Sequence, residues 1–280
     1  MKKKLLTISI ALFILTLTTN QMLAQNWNFQ PIVPDADVRS TDIKLDNNSC
    51  PHVLFECFVD GYFNHNYYYY ATWNEIGWIV ESVPGNNEAD HAQFCLDQNN
   101  DPHIIHKYNN SSTEVLYYTY RDTTSFLITQ SIENVNYNII SVYFRNGILE
   151  FIASSGNSIT QFIYNNQSNS FTANTIGPST LPCGYDYKSV VDDDFNVYFA
   201  YVYSGDIRFG FFDGETVSSF HVAENGQLPS ITLDNEGIPH ISYYNDVTDD
   251  LIHARLPAQA VKYLKSLKNK TKQIVNNVAE

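Results

Sequence analysis

Ile231-Thr-Leu-Asp-Asn-Glu-Gly-Ile-Pro-His-Ile-Ser-Tyr243 decides how the rest of the chain is read. An apolar-polar alternation runs into Asp234-Asn-Glu-Gly237, and a second alternation leaves from Pro239. Alternation with a period of two marks a strand with two different faces. Asp and Asn bond backbone amides two residues on, and Gly accepts the left-handed backbone that closes a hairpin. Pro opens the second strand where the ladder has not begun. The phrase is therefore a β-hairpin, and it recurs. Phe94 to His106 and Ile43 to Phe55 repeat it closely; Val190 to Tyr201 is a worn copy, and Ser141 to Ile152 the most worn. The anchors Asp46, Asp97, Tyr143, Asp192 and Asp234 are spaced by 51, 46, 49 and 42 residues. A period near fifty is that of a propeller or an array.

Each unit reads as four short strands. In the second, His91–Leu96, Pro102–Tyr108, Val115–Arg121 and Phe126–Ile132 are rich in Tyr, Ile and Phe and are parted by turn residues. Four antiparallel strands make one propeller blade. The last unit holds only three, at 230–233, 240–244 and 251–255. The orphan stretch Trp27–Val33 resembles the fourth strand of the first unit, Trp73–Val80, and is expected to complete the last blade. The expectation is an all-β, five-bladed β-propeller closed by an N-terminal strand, with a C-terminal amphipathic helix.

The repeat resembles secreted bacterial propellers whose blades carry a Ser-Ile-x-Leu-Asp-x-x-Gly-x-Pro-His-Ile-x-Tyr phrase, loosely grouped with sialidase-like and lectin-like propellers. The resemblance covers about residues 27–256, strongly in three units and weakly in two. It implies a fold; propellers host many unrelated functions.

The two ends differ from the repeat. Lys2 to Lys4 precede the apolar run Leu5–Leu17, and Ala24 and Gln25 follow: a secretory leader over residues 1–25, with cleavage after Ala24 or Gln25. The run is too short to span a bilayer as a helix. The product is expected outside the cytoplasm, secreted, periplasmic or on the cell surface. Residues 26–257 form the propeller domain and 258–280 a basic tail. In the tail, Ala260, Leu264, Leu267, Thr271, Ile274 and Val278 draw one apolar stripe down a helix. The propeller segment carries eight Lys and Arg against twenty-nine Asp and Glu, and the tail five Lys against one Glu. Docking of the tail on the acidic body, an anionic membrane or a partner protein are its three expected roles, beside that of a solvated helix. The formal charge of −14 argues against nucleic acid.

Candidate chemistry lies at the starts of the first strands, where a propeller's ligand face is expected. Aligning them puts Arg39, Asp90, His91, Tyr137, Tyr185, Asp186 and Lys188 around one rim. Planar polar groups with aromatics suit a sugar or a short peptide, hydrogen-bonding its edge and stacking on its face. Glycoside hydrolysis needs two carboxylates, and Asp90 and Asp186 are the candidates, with Asp42 one step further in. Only Arg39 is placed for the converging arginines a sialidase needs, and no Ser-x-Asp-x-Gly-x-x-Trp box occurs. His52, His103 and His240 each follow Pro and read as packing residues spread one per blade. Asp192, Asp194 and Asn196 place oxygens at alternate positions, a calcium candidate that the hairpin turn explains equally. No cofactor is expected. Of Cys50, Cys57, Cys95 and Cys183, the pairings considered are Cys50–Cys95 and Cys57–Cys95, beside free thiols. The functional expectation is a non-catalytic binding module for a glycan or other extracellular polymer; the alternative is a glycoside hydrolase or degenerate sialidase-like enzyme.

Overall fold

The computed structural model describes residues 31–33, 37–58, 66–84, 89–110, 113–121, 126–132, 137–155, 158–178 and 184–266. The chain divides into two compact units, Met1–Asp35 and Ala36–Glu280. The leader, most of the expected closing strand and residues 267–280 lie outside the described residues.

The second unit is a five-bladed β-propeller. Blade 1 is β1 (Asp37–Leu45), β2 (Pro51–Phe58), β3 (Asn66–Trp73) and β4 (Trp78–Ser82). Blade 2 is β5 (Ala89–Leu96), β6 (Pro102–Asn110), β7 (Thr113–Arg121) and β8 (Phe126–Ser131). Blade 3 is β9 (Asn138–Arg145), β10 (Ile148–Ser155), β11 (Ser158–Asn165) and β12 (Ser170–Pro178). Blade 4 is β13 (Tyr185–Val191), β14 (Val197–Tyr203), β15 (Asp206–Phe212) and β16 (Val217–Ala223). Blade 5 is β17 (Gly226–Leu233), β18 (Pro239–Asn245) and β19 (Asp250–Arg255). Each blade is an antiparallel meander in chain order. A helix, α1 (258–266), follows blade 5.

The recurring phrase is the first hairpin of a blade, and its chemistry is the same in four copies. The Oδ1 of Asp46, Asp97, Asp192 and Asp234 accepts two backbone N–H groups, two and four residues on, at 2.7–3.0 Å. The main-chain carbonyl of each Asp accepts the N–H three residues on. That third residue lies in the left-handed region: Ser49, Asn100, Phe195 and Gly237, with φ of 64°, 67°, 60° and 72°. The Oδ2 faces the ring six residues on. Tyr198 donates its hydroxyl to Asp192 at 3.1 Å, and His240 bonds Asp234 at 3.2 Å. His52 and His103 stand 3.7 and 3.9 Å from Asp46 and Asp97. Their Nδ1 atoms pair with the hydroxyls of Tyr70 and Tyr118 from the next strand. One carboxylate thus fixes the turn, and the ring beyond it ties the turn to the blade.

Blade 3 solves the same corner differently. Arg145-Asn-Gly-Ile148 is a two-residue turn with Asn146 at φ 52° and Gly147 at 76°, which needs no Asp. Arg145 instead approaches the buried Glu150 at 3.6 Å. Tyr143 and Gln161 donate to the same carboxylate oxygen, at 3.2 and 2.8 Å.

Both faces of an inner blade are covered by neighbours, so the middle strands are apolar without relief. Val197 to Val202 is buried throughout. Among the described residues one apolar cluster fills each of four seams. Leu54 and Tyr70 meet Phe94 and Ile104 between blades 1 and 2. Leu116 and Tyr118 meet Ile139 and Phe151 between blades 2 and 3. Ile140 and Ile152 meet Tyr187 and Phe199 between blades 3 and 4. Tyr198 and Phe209 meet Ile241 and Tyr243 between blades 4 and 5. Of the four consecutive tyrosines, Tyr68 and Tyr70 enter the first of these seams, and Tyr69 stacks on Phe55 on the opposite face.

The helix α1 docks on this body. Leu264 is 3% exposed and joins the cluster between blades 4 and 5. Lys265 reaches Asp192 at 3.1 Å. Of the roles considered for the tail, self-docking is the one these residues adopt. Of the alternatives considered for the cysteines, Cys50, Cys57 and Cys95 are free thiols. Cys50 sits in the hairpin of blade 1, whereas Cys95 faces blade 3, where burial pushes its thiol pKa up. Cys183 lies outside the described residues.

Removing one hairpin carboxylate strands two amides and loosens the ring above them. Asp97→Ala is expected to cost about 2–3 kcal/mol in urea denaturation, with Asp97→Asn recovering part of it. Acid should act through the histidines. Burial lowers the pKa of His52, and holds those of His103 and His106 at about 4. Their neutral forms are the ones the fold accepts, so their contribution is complete above the unfolded value near 6.5 and is lost as pH falls from there toward 4. Stability at pH 4.5 should fall below that at pH 7.5 by roughly 2–3 kcal/mol for each of His103 and His106, and His106→Gln should reduce the difference.

Candidate functional site

Every inner strand is bulged. The register slips at Val38/Ser40 in β1, Ala89/His91 in β5, Ser141/Ile139 in β9, Tyr185/Lys188 in β13 and Gln227/Ser230 in β17. All five slips lie at the end of the strand remote from the Asp hairpins. A bulge re-aims side chains and ends regular pairing, as sheets do beside ligand sites. Arg39, Asp90 and Asp186, selected from sequence by aligning first strands, fall on these bulges.

The rim is best described on β13. Tyr185 is 51% exposed, and Asp186 follows with φ 55°. A non-glycine residue there stores backbone strain, which concentrates at functional positions. The strain is held from below by Tyr187, which is buried and stacked on Tyr201 at 5.1 Å. The Tyr187 hydroxyl accepts the Gly184 N–H at 3.0 Å and the Ser154 hydroxyl at 3.2 Å. A Cβ on Gly184 would collide with the Val202 carbonyl and the Tyr201 ring, so only glycine fits before Tyr185.

Polar bonds between blades, two of them between non-adjacent blades, draw the inner strands together. Gln93 of β5 donates its amide to the Tyr187 carbonyl of β13 at 3.0 Å. Lys188 of β13 reaches the Thr41 carbonyl of β1 at 3.5 Å. Asn138 of β9 donates to the Gly184 carbonyl at 3.2 Å. These bonds hold Tyr185, Asp186 and Lys188 on one frame with β1 and β5. Sequence reasoning missed Gln93 and Asn138, although both are amides inside otherwise apolar first strands.

The other candidates divide. His91 is half-buried on β5 and has a partner. Tyr137 is 9% exposed and lies edge-on to Phe162 at 5.3 Å, within the core between blades 2 and 3. The side chains of Arg39 and Asp90 lie outside the described residues. Asp42, one step further in, is paired with Lys44 at 3.1 Å. At the calcium candidate, Asp192 receives the Asn196 amide, the Tyr198 hydroxyl and the Lys265 ammonium. Although burial opposes its charge, the bonds from Asn196 and Lys265 hold its carboxyl below the usual range. An ammonium already neutralises the oxygen that a calcium ion needs. Among the described residues no three His, Cys, Asp or Glu side chains converge as a metal cage, and no helix is long and apolar enough to cross a membrane.

On blade 4, beside the rim, Arg208 lies over the Tyr203 ring at 5.2 Å, with Tyr203 part-exposed. Asp206 and His221 stand 3.6 Å apart on the same sheet.

No family model matches the chain, and no curated protein does. Solved structures share its fold. The Hadza microbial sialidase Hz136 superposes with a TM-score of 0.60 at 10% identity over 80% of this chain and 53% of its own. Trypanosoma rangeli sialidase gives 0.57 at 9% identity over 90% of this chain and 51% of its own. The chain thus spans about half the length of these sialidases. An endo-arabinase from Bacteroides thetaiotaomicron gives 0.50 at 11% identity over 82% of this chain and 97% of its own. Identities this low establish a shared fold alone.

Proposed function

We propose that the protein is an exported propeller that binds a glycan or another extracellular polymer at the bulged rim, without cleaving it. The observation that carries this reading is the β13 corner. An exposed Tyr185 stands beside strained Asp186, with Lys188 two residues on, over a buried platform of Tyr187 and Tyr201. An aromatic face beside polar groups on a rigid support is what a sugar ring requires. Arg39 and Asp90 stand at the corresponding bulges of β1 and β5. The fold likeness to enzymes whose names denote sialosides and arabinan supports a carbohydrate partner. The leader at residues 1–25 supports export.

A second reading is favoured by one observation. The likeness to the endo-arabinase runs over nearly all of that enzyme's length. In that reading Asp90 and Asp186 are the paired carboxylates of a glycoside hydrolase.

Titration calorimetry against arabinan, mannan and sialylated glycoprotein separates the two. Binding without product release is expected, weakened at least about tenfold by Tyr185→Ala, the scale of one lost stacking contact. Absence of binding to every polymer, or indifference to Tyr185→Ala and Asp186→Asn, overturns the binding reading. Release of reducing sugar that stops in Asp90→Asn establishes the enzyme instead.

A further inference from the structure

Two inner strands bend at the rim in the same way. Gly184-Tyr-Asp-Tyr-Lys188 at the start of β13 and Gly226-Gln-Leu-Pro-Ser230 at the start of β17 correspond residue for residue. In both, the register slips between the second and the fifth residue, at Tyr185/Lys188 and Gln227/Ser230. The leading glycine is buried in both and leaves no room for a side chain. A Cβ on Gly226 would lie 2.2 Å from Cγ1 of Ile207, a blade 4 residue, as one on Gly184 would lie 2.1 Å from the Val202 carbonyl oxygen. The third residue has a left-handed backbone in both, Asp186 with φ 55° and Leu228 with φ 51°. The fourth, Tyr187 or Pro229, is buried. Blade 5 thus repeats the blade 4 corner that carries the proposed polymer site, but leaves different side chains in solvent.

Packing gives no reason for Leu228. Its side chain is 70% exposed. It is the one aliphatic residue with a positive φ among the described residues. Phe195, another bulky residue in that region, lies beneath the Arg145 guanidinium. Gly, Asn or Asp would hold a left-handed backbone at lower energy. Pro229 adds to the strain, because a proline steers the residue before it toward extended backbone. A strained backbone that holds an apolar side chain in water points to a ligand contact. The polar neighbour is fixed as well. Gln227 donates Nε2–H to Asp246 Oδ2 at 3.0 Å, which leaves Oε1 as an acceptor. The Gly226 N–H donates to the Gly205 carbonyl of blade 4 at 2.8 Å, and the Asp246 N–H to the Asn225 carbonyl at 3.1 Å. The corner is therefore tied both to blade 4 and to the turn between β18 and β19.

We propose that Gln227 and Leu228 form a second station of the rim, which takes a sugar unit bearing a methyl group where a hexose bears a hydroxymethyl. The inference rests on the reading of the rim as a polymer site. β13 and β17 are neighbouring inner strands, and packed sheets stand about 10 Å apart. One polymer can lie across both corners, with one unit on Tyr185 and a later unit on Leu228. A tyrosine offers a flat face to a sugar ring, and a leucine has none. The branched end of Leu228 offers a small apolar contact, which fits a methyl group. A hydroxymethyl group there loses water from its hydroxyl and gains no bond from leucine in return. The fixed Oε1 of Gln227 accepts a hydroxyl of the same unit. The ligand class is a polysaccharide with deoxyhexose units, stacked on blade 4 and selected on blade 5.

The experiment is an NMR titration of the protein labelled in its leucine methyl groups and tyrosine rings. The probes are methyl glycosides of the 6-deoxyhexoses of the manno, gluco and galacto series, each beside its 6-hydroxyl parent. Leu228→Ala assigns the Leu228 signals and Tyr185→Phe the Tyr185 signals. The Leu228 methyls are expected to shift with at least one deoxy glycoside, at a concentration at least about threefold lower than its parent requires, the scale of one buried methyl. Gln227→Ala should weaken that response. Leu228→Asn should abolish the deoxy preference, read by saturation transfer to the sugar, and raise the melting temperature by about 2–4 °C as strain is relieved. Leu228 methyls that answer no deoxy glycoside, or answer deoxy and parent sugars equally, overturn the proposal. So does a melting temperature that falls in Leu228→Asn, since Leu228 then serves the fold. The Tyr185 ring keeps the two readings apart. If it shifts while Leu228 does not, the polymer site stands and the second station falls. If Leu228 shifts alone, the station stands and the Tyr185 anchor falls.

Discussion

The carboxylate that begins the first hairpin of four blades is the constraint on which the ring depends. An Asp side chain has two oxygens, and here they do different jobs. Oδ1 collects two amides that the tight turn would otherwise leave without a partner. Oδ2 faces a ring on the next strand, and that ring in turn engages the strand after it in blades 1 and 2. One side chain therefore sets the turn, the register of the hairpin and the packing of the third strand. A slip by one residue would move every seam-facing side chain to the wrong face. Repeating this corner four times gives the blades a common geometry without requiring common cores.

This explains how much of the fold was legible in the sequence. The residues that recur, Asp, Pro, His and the left-handed position between them, are those that the corner needs. The seam residues vary freely, because any apolar set of the right volume fills a seam. Blade 3 looked worn because Asn146-Gly147 closes its turn by backbone preference alone, which leaves Asp no task. Its Arg145, Glu150 and Gln161 network joins residues far apart in the chain, and no local pattern announces it. The rim was partly legible. First-strand alignment found the level of the bulges at Arg39, Asp90 and Asp186, since repeats preserve register. It could not separate a bulge that turns outward at Tyr185 from a neighbouring residue such as Tyr137 that turns into a core. That choice depends on which seam a strand residue meets, and seams are made between units, not within them. The cysteines stayed open between pairing and free thiols for the same reason: similar positions in successive blades face different neighbours.

The histidines show position and role coming apart. His52, His103 and His240 share one place in the repeat, and all three face the hairpin carboxylate. What differs is the seam. Between blades 1 and 2, and between blades 2 and 3, the ring is sealed beneath tyrosines and held neutral by burial. On blade 5 no tyrosine hydroxyl meets it among the described residues, and the same ring bonds His253 instead. A repeat thus supplies a well-oriented imidazole, and the neighbouring strand decides what its second nitrogen meets.

The docking of α1 separates the two ends of the wheel. Lys265 meets Asp192 on the hairpin side, while Tyr185 and the bulges open on the other. A label or bead attached to an exposed residue of α1, such as Tyr263, sits on the underside. The mouth at Tyr185 is then presented outward, and a surface coated through α1 displays every molecule in the same orientation.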